Sequence, residues 1–348
     1  AHIIELESIL VEPVNQKIGR ILRSSLSENI DRIKSLKSID KGQHWNGLTL
    51  FRDVAEVYAL EINSLNPNTV YFGDGRKIWK SQDGGITFTA TGDAAFQAAT
   101  RKLNDLQQCP IDTNQLIAAT EQGLFRTIDG GQNWTLLQSG RWLEVNWHTT
   151  NPAIVYAVMQ SGVSTSFWKS TNQGVSFTAN TSGTWPTPSV AGQENKRAEI
   201  AVTPAAPSIV YALATGVANG GSGLYGIYVS HDEGNTWTFQ CCGAGPGGAP
   251  DANTNKNLCA WADDGSDDGG QYYYDLALAV SPFDSNEVHV GAVNHWVSQD
   301  GGVNFTCPSK WSHSYKVNYV HADIHDINFF GNDLWMACDG GVFYSNTS

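Results

Sequence analysis

Short apolar runs separated by clusters of Gly, Asn, Pro and Asp recur along the chain, and this pattern predicts strands joined by tight turns. In the second unit the runs fall at about 54–63, 69–74, 77–82 and 88–91. The turns repeat as well as the strands. Segments 38–45, 81–88, 127–134, 170–177, 230–237 and 298–305 share one reading: hydroxyl, any, Asp or Asn, any, Gly, any, any, aromatic. Their acidic or amide positions are Asp40, Asp83, Asp129, Asn172, Asp232 and Asp300. A carboxylate or amide there accepts hydrogen bonds from backbone N–H groups about two residues on and closes the turn. Gly supplies a positive φ, and the final ring opens the next strand. A second phrase precedes the third strand, at 66–71, 151–156 and 206–211, where Pro67, Pro152 and Pro207 lead into Val-Tyr pairs.

Each repeat is thus four strands with the conserved-pattern turn between the third and fourth. Such a sheet cannot bury both faces alone, so the repeats stack around an axis. The expected fold is all-β, a propeller of about seven four-stranded blades, with first strands near residues 2, 54, 104, 143, 199, 274 and 323. Residues 1–348 then form one domain, with an atypical first blade over 1–50 and a truncated last blade over 323–348. The polar stretch 24–37 admits a short helix. The missing fourth strand predicts a chain that continues past Ser348, as further blades of a larger ring or another domain.

Strand direction alternates within a blade, so the repeated turns mark one face. Insertions at 89–103, 178–198, 216–223, 240–273 and 306–320 all follow a second or fourth strand and share the other face, the expected binding surface. They carry Trp185, Trp261, Tyr272, Tyr273 and Trp311, rings suited to sugars, which would alternatively pack the loops onto the blades. Asp263, Asp264, Asp267 and Asp268 concentrate carboxylates in a Gly-rich loop and suggest calcium; a solvated acidic loop is the other reading. His321, Asp323 and His325 alternate along the start of the last inner strand, a spacing open to a metal, to proton transfer by Asp323 or His325, or to a buried polar network.

Composition narrows the functions. The net charge is −13, and no Arg follows Arg197, so no basic face exists for a nucleic acid. No apolar run approaches the length of a membrane span. The six cysteines lack paired zinc spacing. Cys259 could bridge to Cys241 or Cys242 in an oxidising compartment, while Cys109 and Cys338 read as buried small apolar residues.

The repeated turns, with segments 269–277, 290–302, 319–326 and 339–341, resemble Asp-box propeller proteins of the sortilin-like and glycosyl-hydrolase-like type. They are similar to large secreted Bacteroidetes proteins that carry a type nine secretion sorting domain. The resemblance implies a secreted or cell-surface location, with further repeats and a sorting segment downstream, and implies little about reaction. A sialidase, which needs three Arg on inner strands around the ring, is disfavoured because the last three repeats carry no Arg. The expected function is a non-catalytic module binding a glycan or a surface protein. The alternative is a glycoside hydrolase pairing Asp323 with a carboxylate of the 263–268 loop. A structural role in a surface assembly is the third reading.

Overall fold

The computed structural model describes residues 57–218, 221–243, 248–312 and 318–345, residue 44, and the strand segments 9–11, 16–18, 33–38 and 46–51. Six antiparallel sheets in simple sequential order follow one another from residue 57. The first contains Val57–Ile62, Val70–Asp74, Ile78–Ser81 and Thr89–Ala90, close to the strands read from the apolar runs. Sheets two to five span 103–139, 141–179, 197–241 and 277–309. Among the described residues the sixth has three strands, Ile324–Phe330, Asp333–Cys338 and Gly341–Ser345. Each sheet's first strand packs against the first strand of the next. That arrangement places the first strands around a common axis, and the six sheets are the blades of a propeller.

The blade count is six, where about seven were expected. The N-terminal segment forms a sheet of different construction from Ile9–Val11, Gln16–Ile18, Ile33–Ser38 and Asn46–Phe51, in the order second, first, third, fourth. Its first and third strands run parallel. Parallel neighbours cannot be joined by a hairpin, so the blade pattern does not extend into this segment. Ile33–Ser38, which overlaps the stretch 24–37 that admitted a helix, is a strand. Gln16–Ile18 lies beside Val57–Ile62 and Ile324–Phe330, between blades 1 and 6. Asp40 lies outside the described residues.

The five described repeat turns share one hydrogen-bond scheme. In the first, Ser81 Oγ accepts from the backbone N–H of Asp83 and Gly85, and donates to Asp83 Oδ1. Asp83 Oδ1 in turn accepts from the backbone of Ile86 and Thr87, and Oδ2 accepts from the Thr87 hydroxyl. The carboxylate therefore reaches three and four residues on, further than local turn chemistry suggested. Asn172 fits the same scheme because its amide donates to Ser176 Oγ where the Asp copies accept.

Packing, as well as backbone, selects the Gly of the motif. The residue before it also has positive φ, yet Gln173 and Glu233 occupy that place. At Gly174 and Gly234 an added Cβ would lie 2.3 Å from Ile117 and 2.5 Å from Phe167, side chains of the preceding blade. Gly234→Ala therefore combines a left-handed backbone cost with an inter-blade clash. We expect a loss of at least about 2 kcal/mol in denaturant unfolding, with Glu233→Gly close to neutral as the control.

Candidate functional site

Innermost strands expose an unpaired edge to the axis, and the chain satisfies it with carboxylates from the preceding blade. Glu61 Oε1 accepts from Gln108 N, Asp105 Oδ2 from Val145 N, and Glu144 Oε2 from Ile200 N. Two of these acids, Asp105 and Glu144, with Glu199 and Asp326, line an axial cavity of about 540 Å³ together with the apolar Leu278, Ile327 and Phe329. Pro204, Pro282, Phe283 and Gly331 border it after the ends of first strands, so it opens on the repeat-turn face. A smaller cavity of about 120 Å³ sits at the opposite, long-loop mouth among Tyr58, Lys102, Arg141, Arg197, Tyr273 and His325.

Beside that mouth, Arg197 pins the 271–276 segment. Its Nη1 donates to Tyr272 O, Nη2 to Leu276 O, and Nε to Glu199. The segment's own polar groups then meet blade 6. The Tyr274 hydroxyl donates to Asp339, whose Oδ1 also lies 2.9 Å from His325 Nε2. The His325 ring stands edge-on to Tyr274, with centroids 4.9 Å apart. Gln271 Nε2 donates to Asp323 Oδ1 and, at 3.5 Å, to Asp275 Oδ2. Asp275, Asp339 and Gln271 were not singled out from sequence. The only available signal was their place in the segments 269–277 and 339–341 that carried the family resemblance.

Asp275 is fully buried, and its Oδ1 has no hydrogen-bond partner. Burial first, and then the Asp323 charge, push its pKa up to about 7. Burial and the Asp339 charge raise Asp323 as well, against the opposing pull of His325 and His321. The folded chain thus holds a proton on Asp275 that the unfolded chain releases near the ordinary carboxyl range. The associated stability is full below about pH 4, falls by up to about 1.4 kcal/mol per unit above it, and is lost as pH passes through about 7. In Asp275→Asn the decline of unfolding free energy between about pH 5 and pH 8 should be shallower than in the parent chain. Chemical denaturation across that range checks it.

The sequence candidates separate into those exposed for contact and those consumed by structure. Trp261, Tyr273 and Trp311 are 49%, 66% and 40% exposed on the long-loop face. Trp311 Nε1 donates to Trp261 O at 3.2 Å, which brings the two residues together. Tyr272 is half-buried with its ring edge on Tyr273. Trp185 is a correction: it is 6% exposed, its ring packs on Phe167 and Trp237, and its indole N–H donates to Thr165. It seals the joint between blades 3 and 4 and offers no binding surface.

His321, Asp323 and His325 do not converge. Asp323 adopts φ 65°, which breaks the alternation assumed for a strand that begins only at Ile324. His321 turns to Ala322 O and stacks over Gly340, while His325 turns to Asp339. The acidic loop is likewise dispersed. Asp263 pairs with Lys310 at 2.6 Å, Asp264 accepts from Ser266 N, and Asp267 accepts from Ala262 N and Gly269 N. Asp268 is exposed. Among the described residues, no three acidic, His or Cys side chains gather into a metal-holding group.

The disulfide expectation is also corrected. Cys241 and Cys242 bridge each other, and Cys259 is a free, buried thiol in the same apolar cluster. Cys109 and Cys338 are buried as expected. No helix among the described residues is long and apolar enough to cross a membrane.

No protein-family profile matches the sequence, and no curated protein matches it. Solved structures do match in fold. A GH74 xyloglucanase from Xanthomonas campestris aligns with a TM-score of 0.61 at 13% identity, over 92% of this chain and 56% of that one. An ancestral GH74 enzyme gives 0.53 at 14% identity, over 77% of this chain and 33% of that one. YCF48 bound to D1 peptide gives 0.54 at 17% identity, over 88% and 84%. The chain therefore spans about half, or less, of the two GH74 enzymes. At these identities the likeness is one of fold.

Proposed function

We propose that this propeller is a recognition module of a secreted or surface-displayed protein, and that it holds a polysaccharide across its long-loop face. The observation that carries this reading is the exposure of Trp261, Tyr273 and Trp311 on that face. Large rings left in water present flat apolar surface to the C–H face of a sugar, and neighbouring carbonyl and carboxylate groups meet its hydroxyls. Glycosidic cleavage has less support. The carboxylates considered for it have other partners: Asp323 accepts from Gln271, and Asp263 pairs with Lys310.

Retention on a panel of insoluble polysaccharides, scored together with release of reducing ends, tests the proposal. Retention without release is expected. Release that disappears in Asp323→Ala would replace this reading with that of a hydrolase. Failure to bind any polysaccharide, with capture by a surface protein instead, would overturn the choice of ligand.

A further inference from the structure

Blade 5 departs from its repeat by placing imidazoles at two positions, beside a carboxylate at a third. Second strands elsewhere carry Tyr71, Ile117, Tyr156 and Tyr211 at one matching position; blade 5 carries His289. Three residues before the hydroxyl of the repeat turn, the other blades bury Ile78, Leu124, Phe167 and Ile227; blade 5 buries His295. Ahead of the second strand, Thr69, Gln115, Ile154 and Ile209 correspond to Glu287. Two buried imidazoles and a carboxylate, where the other blades carry aromatic, aliphatic or neutral polar side chains, carry a larger desolvation cost than those blades meet at these positions.

These groups form one continuous chain of hydrogen bonds. His289 Nε2 lies 3.0 Å from Glu287 Oε1, and His289 Nδ1 lies 2.9 Å from His295 Nε2. His295 Nδ1 lies 3.3 Å from Ser309 Oγ. The two rings are nearly coplanar, 7° apart, and Phe329 of blade 6 closes over His289 edge-on. Direction follows from the acid end. The His289 bond and the Ser281 hydroxyl hold Glu287 below the usual carboxyl range, so it is an acceptor. With both rings neutral, His289 donates through Nε2 and accepts at Nδ1 from His295 Nε2–H. His295 Nδ1 is then left to accept, and Ser309 donates its hydroxyl proton. Glu287, His289 and His295 are buried, whereas Ser309 is half-buried at the end of the outer strand on the long-loop face, next to Lys310 and the exposed Trp311.

We propose that Ser309 is an activated nucleophile toward carboxylic esters, with His295 as its proton acceptor and His289 and Glu287 as positioning residues behind it. The logic is that of an acid–histidine–serine relay with a second imidazole inserted. As Ser309 Oγ bonds to the acyl carbon, its proton passes to His295 Nδ1, and the His295 Nε2 proton passes to His289 Nδ1. The resulting imidazolium is His289, held against Glu287. Collapse of the tetrahedral adduct breaks the bond to the alcohol oxygen, which takes the proton back along the same path. Water then repeats the sequence and releases the carboxylic acid and free Ser309. Burial depresses the basicity of His295 strongly, which suits a ring that relays a proton and never stores the charge. This activity does not depend on polysaccharide binding.

The test is covalent. The purified chain is incubated with a fluorophosphonate probe, which Ser309 attacks at phosphorus with loss of fluoride, and the adduct is located by peptide mass mapping. Hydrolysis of p-nitrophenyl acetate is followed in parallel. The expected result is an adduct on Ser309 and a burst of nitrophenol, both absent in Ser309→Ala. His295→Ile and His289→Tyr restore residues that other blades carry at these places, so they keep the fold while lowering the labelling rate by about 100-fold or more. The proposal fails if the folded parent chain gives no adduct on Ser309, or if His289→Tyr labels Ser309 at the parent rate.

Discussion

Phe167→Ala should lower the unfolding free energy by about 3–5 kcal/mol, the largest single-residue loss expected in the chain. Phe167 is fully buried in the third strand of blade 3. Its ring centroid lies 5.6 Å from Tyr156, 5.4 Å from Trp185 and 5.0 Å from Trp237. Gly234 of the next repeat turn closes directly over it. Truncation removes the ring that three aromatics and a turn were packed upon, and rigid strands on both sides prevent the gap from collapsing. Denaturant unfolding followed by tryptophan emission reads both the stability and the changed surroundings of Trp185 and Trp237. A loss below about 1.5 kcal/mol would show that the blade 3–4 joint relaxes around the cavity.

Substituting Trp261, Tyr273 and Trp311 together by Ala should abolish retention on the polysaccharide that the parent chain binds. Buried aromatic anchors at interfaces are worth about 2 kcal/mol or more each, close to 30-fold in affinity, and three lost together exceed the range of a retention assay. Stability should fall less than in Phe167→Ala, because a large part of each of these side chains is exposed. The contrasting variant is Trp185→Ala, which should weaken the fold through its packing on Phe167 and Trp237 and leave binding by the folded fraction intact. Equal loss of binding in both variants would place the ligand elsewhere than on the exposed rings.

Much of the architecture was legible because it is local. The hydroxyl, the Asp or Asn and the Gly of each repeat turn act within a few residues of one another, so Ser81, Asp83 and Gly85 can be read without knowing what lies beside them. Strand direction then follows by counting, and with it the face to which the long insertions belong. The N-terminal sheet was misread for the converse reason. Its strand order depends on a parallel pairing between Ile9–Val11 and Ile33–Ser38, and neither segment carries a local sign of its partner.

The site divides along the same line. Trp185 and Trp261 are indistinguishable as sequence, both aromatic and both in long loops. One is covered by Phe167 and Trp237 from two different blades, and the other is left in water. Asp323 looked like one member of an alternating triad until a left-handed backbone turned its neighbours apart. Its raised pKa, and that of Asp275, come from burial and from charges brought together over tens of residues.

By itself, then, the sequence determined the repeated turn, the four-strand unit, the stacking of such units around an axis, and the face that carries the long loops. All of these rest on hydrogen bonds and apolar periodicity confined to short stretches of chain. Only the tertiary structure decided how many blades close the ring, which aromatic rings stay exposed, which carboxylates hold protons, and that Glu287, His289, His295 and Ser309 form a single line. Those outcomes depend on distances between residues that the chain itself does not hold close, and it takes the packing of one blade against the next to set them.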